Sequence, residues 1–285
     1  MHGIKLIALD LDRTTLNAES RLSPGNRAAL EQAIAQGIHV VIASGRPFFS
    51  LPEDVLAVQG IEYAITSNGS ALWHIPSQTC LHSFTLPPES VETVLQLTGD
   101  EYRLTYEAII RGDAFCDAEY IRDPDRFGAV AEGIAYIKAT RTLVEDIQGF
   151  LRRHKDELES VDIIVPDAQL RDNVIERLRP ALPDVYFTSS APQLVELAHR
   201  DAGKHAGLRL LVERLGLTPE QCAAFGDADN DADMLRFAGL GVAVANATPG
   251  CLAAADQVTA PHHEDGVAKA LQRILGDQGK KGENP

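Results

Sequence analysis

What the chain lacks narrows it first. Four cysteines occur in 285 residues, Cys80, Cys116, Cys222 and Cys251, widely spaced and with no C-x-x-C pair. A disulfide framework and a cysteine metal site are thereby excluded, and the four read as buried or inert thiols in a reducing compartment. No apolar run exceeds strand length, so nothing suits a membrane span. Three residues precede the first apolar run, so no secretory leader is expected and the cytoplasm is the expected setting. Positive charge is scarce: 26 Lys and Arg stand against 41 Asp and Glu, a net charge of -15. Such a field repels nucleic acid and anionic membranes, and neither is an expected partner. An anionic substrate would have to be drawn in by local cations. Internal repeats are absent.

What remains is an ordinary globular composition, 45% hydrophobic and 24% charged, with length enough for two domains. The stretch around which the chain is organised is Leu9-Asp10-Leu11-Asp12-Arg13-Thr14-Thr15. It closes an apolar run, Ile4 to Leu9, that reads as a buried strand. Carboxylates at i and i+2 beyond such a strand either mark a turn into solvent or need compensation, because burying them costs several kcal/mol. A divalent cation compensates, and carboxylates and carbonyls are its natural ligands. Ser23-Pro24 then signals a helix start, with Leu30, Ala33 and Ile34 on one face and Gly37 as its stop. Ile38 to Ala43 is a second buried strand, ending at Ser44-Gly45-Arg46; Tyr63 to Thr66 is a third, ending at Ser67-Asn68-Gly69. Apolar strands alternating with amphipathic helices predict a parallel sheet covered on both faces, with ligands beyond the strands' carboxyl ends.

Leu86-Pro87-Pro88 reads as a boundary, and from there to about Ser190 the strands alternate polar and apolar residues, as in an antiparallel sheet. Helices are predicted over Ser90 to Thr98, Val144 to Leu158 and Leu170 to Leu178, while Gly128 to Lys138 carries no clear pattern. Leu194 to Ala198 reads as a strand rejoining the core. Gly203-Lys204 opens a helix, and Cys222 to Phe225 is a core strand running into Gly226-Asp227-Ala228-Asp229-Asn230-Asp231. The predicted layout is an α/β protein: a Rossmann-like core of residues 1–86 and 191–276, an inserted α+β unit of 87–190, and a disordered tail of 277–285.

The four stretches Asp10 to Thr15, Ser44-Gly45-Arg46, Gly203-Lys204 and Gly226 to Asp231 resemble the four motifs of the haloacid dehalogenase-like hydrolases. The likeness is closest to the Cof-type phosphatases, whose cap lies between the second and third motifs. It implies a Mg²⁺-dependent phosphatase acting on small phosphomonoesters, such as sugar phosphates, through an aspartyl phosphate. By this resemblance Asp10 is the nucleophile and Asp12 the proton carrier. The metal takes Asp10, the main-chain carbonyl of Asp12 and Asp227, with Asp231 in support. Ser44 and the Gly45 amide bind phosphate, Lys204 offsets charge, and Arg46, Asn68 and Asn230 belong to the substrate-binding set. A small phosphorylated metabolite is the expected partner, and a monomer or homodimer the expected state. A phosphomutase, or a weakly catalytic sugar-phosphate-binding regulator, is the alternative.

Other readings compete at several positions. Asn68-Gly69 equally suits a hairpin turn. Thr14 is expected to bond its own turn or Asp12, Asn246 to contact the substrate-side loop or to pack, and His262-His263 to be solvated. Two residues depart from the family pattern, Arg13 and His205, where glycine is usual. Arg13 either fills that space, pairs with Asp227 or Asp231, or adds a cation for substrate. Arg13→Gly is expected to change turnover or substrate range by roughly tenfold.

Overall fold

The computed structural model describes residues 3–279. In chain order its strands are β1 (Leu6–Leu9), β2 (His39–Ala43), β3 (Ile61–Thr66), β4 (Ala71–His74), β5 (Thr79–Ser83), β6 (Thr105–Ile110) and β7 (Asp113–Asp117). They continue as β8 (Arg141–Val144), β9 (Ser160–Ile164), β10 (Val185–Thr188), β11 (Leu194–His199), β12 (Cys222–Gly226), β13 (Leu240–Val244) and β14 (Gln257–Thr259). These form an eight-stranded sheet, β14-β13-β12-β1-β2-β3-β4-β5, and a six-stranded one, β10-β11-β9-β6-β7-β8.

The first sheet is parallel from β14 to β3, with β4 and β5 added antiparallel. Every residue of β1 and β12 is buried. Ile7 and Leu9 pack with the helices Pro24–Ala35 and Gly266–Gly279, while Leu6 and Ala8 pack with Lys204–Arg214 and Ala232–Phe237. That double cover explains the unbroken apolar runs in the sequence. Ser23 caps its helix as the Ser-Pro pair predicts, its hydroxyl accepting from the Asn26 amide at 3.0 Å. From β1 the chain moves outward through β2 and β3 on one side, whereas β12 to β14 lie on the other. The crevice beyond β1 and β12 is therefore the switch point where such sheets bind ligands.

The second sheet is antiparallel except for the parallel pair β7–β8. One face packs on the helices Pro88–Thr98, Ile147–Arg153 and Ala168–Leu178. On the other, Glu107, Asp162 and Glu196 stand in register across β6, β9 and β11. β6 and β9 are buried throughout, not half-exposed, because this second face closes over a cavity shared with the first sheet.

Several sequence expectations need correction. Leu194–His199 pairs with β9 and β10 in the second sheet instead of rejoining the core, so the chain crosses back only after His199. A short apolar run announces burial but not which sheet accepts it. The helix expected from Val144 begins at Ile147, where the Asp146 side chain accepts from the Gly149 amide, and the residues before it form β8. Most of the unassigned stretch Gly128 to Lys138 belongs to the helix Ala131–Thr140. Residues 277–279 continue the last helix, anchored by buried Val267, Leu271 and Leu275, while 280–285 of the expected tail lie outside the described residues. Cys80 is exposed; the other three cysteines are buried. Among the described residues no helix is long and apolar enough to cross a membrane.

Candidate active site

Asp10 directly follows β1. Its amide still donates to the Phe225 carbonyl at 3.0 Å, holding it as an extension of the strand beside β12. A wide turn, Leu11–Thr15, comes next, closed by the Leu16 amide on the Leu11 carbonyl (2.8 Å) and by Thr15 Oγ1 on the Asp10 carbonyl (2.6 Å). The turn buries Asp10 but leaves the Asp12 side chain 47% exposed. Both line a cavity of about 520 Å³ between the two sheets, as do Gly45, Arg46, Asp227 and Asn230.

Lys204 is wholly buried and donates to Asp10 Oδ1 and Asp231 Oδ1, each at 2.6 Å. It reaches them because Gly69 lets two loops touch. A Cβ on Gly69, whose φ is +91°, would lie 2.0 Å from the Gly203 carbonyl oxygen at the start of the Lys204 helix. The other Asp231 oxygen accepts the amides of Asp227 (2.9 Å) and Ala228 (3.0 Å), which fixes the loop carrying Asp227. Thr14 Oγ1 donates to Asp227 Oδ1 at 3.0 Å. This corrects the expected local bond of Thr14: its partner is 213 residues away, brought near by the β1–β12 pairing.

Burial, followed by repulsion from Asp231, raises the Asp10 carboxyl well above the usual range, and Lys204 offsets this only in part. Burial and Asp231 push Asp227 up to about 6. Burial pulls Lys204 down, but Asp10 and Asp231 outweigh it and hold its ammonium charged. Three carboxylates thus face one lysine. Asp10, Asp227 and Asp231 each offer an oxygen within 4.8 Å of the others, a hard-oxygen set that suits a divalent cation such as Mg²⁺.

The opposite wall comes from β2 and β3. Ser44 is buried, and its hydroxyl accepts from the Arg46 amide at 3.1 Å. Asn68 lies in the left-handed region, φ 53°, in the turn joining β3 to β4. Its Nδ2 donates to Glu196 Oε1 and its Oδ1 accepts from Asn230 Nδ2, each at 2.9 Å. Asn68-Gly69 is thus a hairpin turn, and Asn68 ties that turn to Glu196 and Asn230, which line the cavity. Asn230 keeps a buried Oδ1 without a hydrogen-bond partner.

A family model described as haloacid dehalogenase-like hydrolase matches residues 7–271. The chain belongs to the haloacid dehalogenase-like hydrolases. The 5-amino-6-(5-phospho-D-ribitylamino)uracil phosphatase YcsE of Bacillus subtilis is 30% identical over 279 residues, covering 94% of this chain and 95% of the relative. Phosphatase YwpJ of the same organism is 30% identical over 307 residues, covering 95% and 100%. A solved haloacid dehalogenase-like hydrolase from B. subtilis shares the fold with a TM-score of 0.82 at 27% identity, covering 94% of this chain and 99% of that one. Like these phosphatases, this haloacid dehalogenase-like enzyme is a phosphoric monoester hydrolase.

The hydrolase fold brings Asp10, Asp227, Asp231 and Lys204 into direct contact, and sets Asp12, Gly45, Arg46 and Asn230 on the same cavity. Arg46 grips Asp12, donating to its two oxygens at 2.7 and 2.6 Å. Asn246 ties loops together: its Nδ2 donates to the Arg13 carbonyl and its Oδ1 accepts from the His262 amide, both at 2.9 Å. His262 is half-buried and lines the cavity, which corrects its solvated reading, whereas His263 is exposed. His205 does not line the cavity; its ring covers Gly203, where an added Cβ would meet it at 2.6 Å. The sequence reading missed Glu196 and Tyr136, because neither belongs to a local motif and only β11 and the helix Ala131–Thr140, respectively, carry them to the cavity.

Arg13 occupies a left-handed position, φ 59°, with its side chain 70% exposed and its Nε 3.9 Å from Asp227 Oδ2. An exposed pair at that distance contributes well under ~1 kcal/mol. Arg13→Gly also removes a side chain from a backbone conformation that glycine prefers. The tenfold expectation is therefore revised: the variant should keep kcat within about threefold and should not lower the melting temperature. Steady-state kinetics and thermal unfolding check both.

Proposed function

We propose that the enzyme hydrolyses small phosphomonoesters in two steps through an aspartyl phosphate on Asp10. The observation that carries this is the buried Asp10, beside Asp227 and bonded to Lys204, at the mouth of the switch-point crevice. An Asp10 oxygen attacks phosphorus as the phosphorus–oxygen bond to the leaving group breaks. Asp12 gives its proton to the departing oxygen, then takes one from the water that attacks the aspartyl phosphate. Lys204 holds Asp10 in place and offsets the charge that spreads over the transferring group. Ser44, the Gly45 amide and Asn230 bind phosphate oxygens, with Asn68 setting Asn230 in place.

Mg²⁺, held by Asp10, the Asp12 carbonyl and Asp227, would neutralise the anionic nucleophile and phosphate against each other. Asp231 fits a supporting role, since one of its oxygens takes two amides and the other takes Lys204. The second unit, on this proposal, is the cap that covers the leaving group and selects the substrate. A phosphorylated polyol or sugar fits the cavity's size and its polar wall, and YcsE is named for a phosphorylated ribityl compound. Glu107, Asp162 and Glu196 would accept hydrogen bonds from hydroxyl groups of the leaving group. The Asp10–Lys204 contact stands intact beside the exposed Arg13, which favours a working hydrolase over a weakly catalytic regulator.

Excess chelator should abolish phosphate release from a panel of phosphorylated metabolites, and added Mg²⁺ should restore it. Asp227→Ala should raise the Mg²⁺ concentration for half-activation by roughly tenfold or more. Full turnover in excess chelator would contradict the metal assignment.

A further inference from the structure

Arg46 is joined to the second unit as well as to Asp12. Its guanidinium carbon lies 4.1 Å from the centroid of Tyr136, on the helix Ala131–Thr140. The Arg141 guanidinium carbon lies 4.6 Å from the same centroid. Arg141 in turn donates to both oxygens of Glu107, at 2.8 and 2.7 Å, in a buried pair on the second sheet. A continuous run, Glu107–Arg141–Tyr136–Arg46–Asp12, therefore crosses from one sheet's unit to the other.

Each guanidinium is drawn to the ring's negative face, and the more so where water is excluded. Two cations on one ring repel, but each has its own bidentate carboxylate. The side chain of Arg46 is 10% exposed and that of Asp12 is 47% exposed. The ring thus covers the guanidinium while its carboxylate stays open to the cavity.

We propose that Tyr136 is a positioning residue that couples seating of the second unit over the cavity to the orientation of Asp12. This rests on the proton-carrying role of Asp12 given above. Asp12 transfers its proton to the ester oxygen as the phosphorus–oxygen bond breaks; Tyr136 acts on that step only through Arg46. With the ring in place the Arg46 fork is held against both Asp12 oxygens. When the unit lifts, the ring leaves with it, and the fork and the carboxylate are free to turn.

The test is single-turnover phosphate release from one aryl and one alkyl phosphate, with Tyr136→Phe, Tyr136→Leu, Arg46→Lys and Asp12→Asn. Phenylalanine keeps the ring and should stay within about twofold of the parent on both esters. Leucine loses the ring, and lysine cannot grip two oxygens. Each should lose roughly tenfold or more on the alkyl ester, which needs protonation, and under about threefold on the aryl ester. Combining Tyr136→Leu with Arg46→Lys should cost no more than the worse single change, because both act through one contact. Equal losses on the two esters, a change in KM alone, or no loss would overturn the coupling. If Asp12→Asn discriminates between the esters and Tyr136→Leu does not, the coupling alone fails. If Asp12→Asn treats them alike, the role of Asp12 fails and the coupling falls with it.

Discussion

Asp10→Asn should abolish phosphate release from aryl and alkyl esters alike, by roughly 10⁴–10⁶ in kcat. The amide keeps the shape of the side chain but is no nucleophile, and no leaving group is good enough to bypass it. The fold should survive. Asp10 is crowded by Asp231 and Asp227, so losing its charge relieves repulsion while Lys204 keeps its bond to Asp231. A circular dichroism spectrum like the parent's, together with lost activity, is the expected pair of observations. An Asp10→Asn protein that still turns over an aryl phosphate at the parent rate would remove Asp10 from the chemistry.

Asp12→Asn should behave differently. Its carbonyl and shape persist, so Mg²⁺ affinity and phosphate binding should be retained. Turnover of an alkyl phosphate should fall by roughly 10²–10⁴. An aryl phosphate should lose much less in its first step, because a phenolate departs without full protonation. The dephosphorylation step still needs a base, so phosphorylated enzyme should accumulate with the aryl ester. Arg46 would lose one of its two acceptor oxygens, since the amide nitrogen that replaces it can only donate. An alkyl rate equal to the parent's would show that another group carries the proton.

The core of this enzyme is legible in sequence because its parallel strands are covered on both faces and so read as apolar runs. The carboxylates proposed for the chemistry also follow those runs directly, as Asp10 follows Leu9 and Asp227 follows Gly226. Lys204 is legible only by resemblance. Its burial between Asp10 and Asp231 depends on the approach of Gly69 to Gly203, a contact that no local pattern announces. Thr14 suits a local partner in sequence because short polar side chains ordinarily bond their own turn, yet strand pairing brings Asp227 to it. The second sheet is the least legible part. Its β11 looks like any buried strand, and its polar row, Glu107, Asp162 and Glu196, looks like a solvent face in sequence. Only register across three strands turns that row into the wall of a cavity. Arg13 is legible in part: an arginine between acids predicts a pairing, and its Nε does lie 3.9 Å from Asp227 Oδ2 on the cavity lining, but its left-handed backbone and its 70% exposed side chain are not announced by the sequence.

The most direct test of the mechanism is to quench the enzyme during steady turnover of a phosphomonoester and map the phosphoryl group by peptide mass spectrometry. It should sit on the peptide containing Asp10, be removed by hydroxylamine as an acyl phosphate is, and be absent from Asp10→Asn. A phosphoryl group on another residue, or turnover at the full rate with no phosphorylated peptide in either parent or Asp12→Asn enzyme, would contradict it.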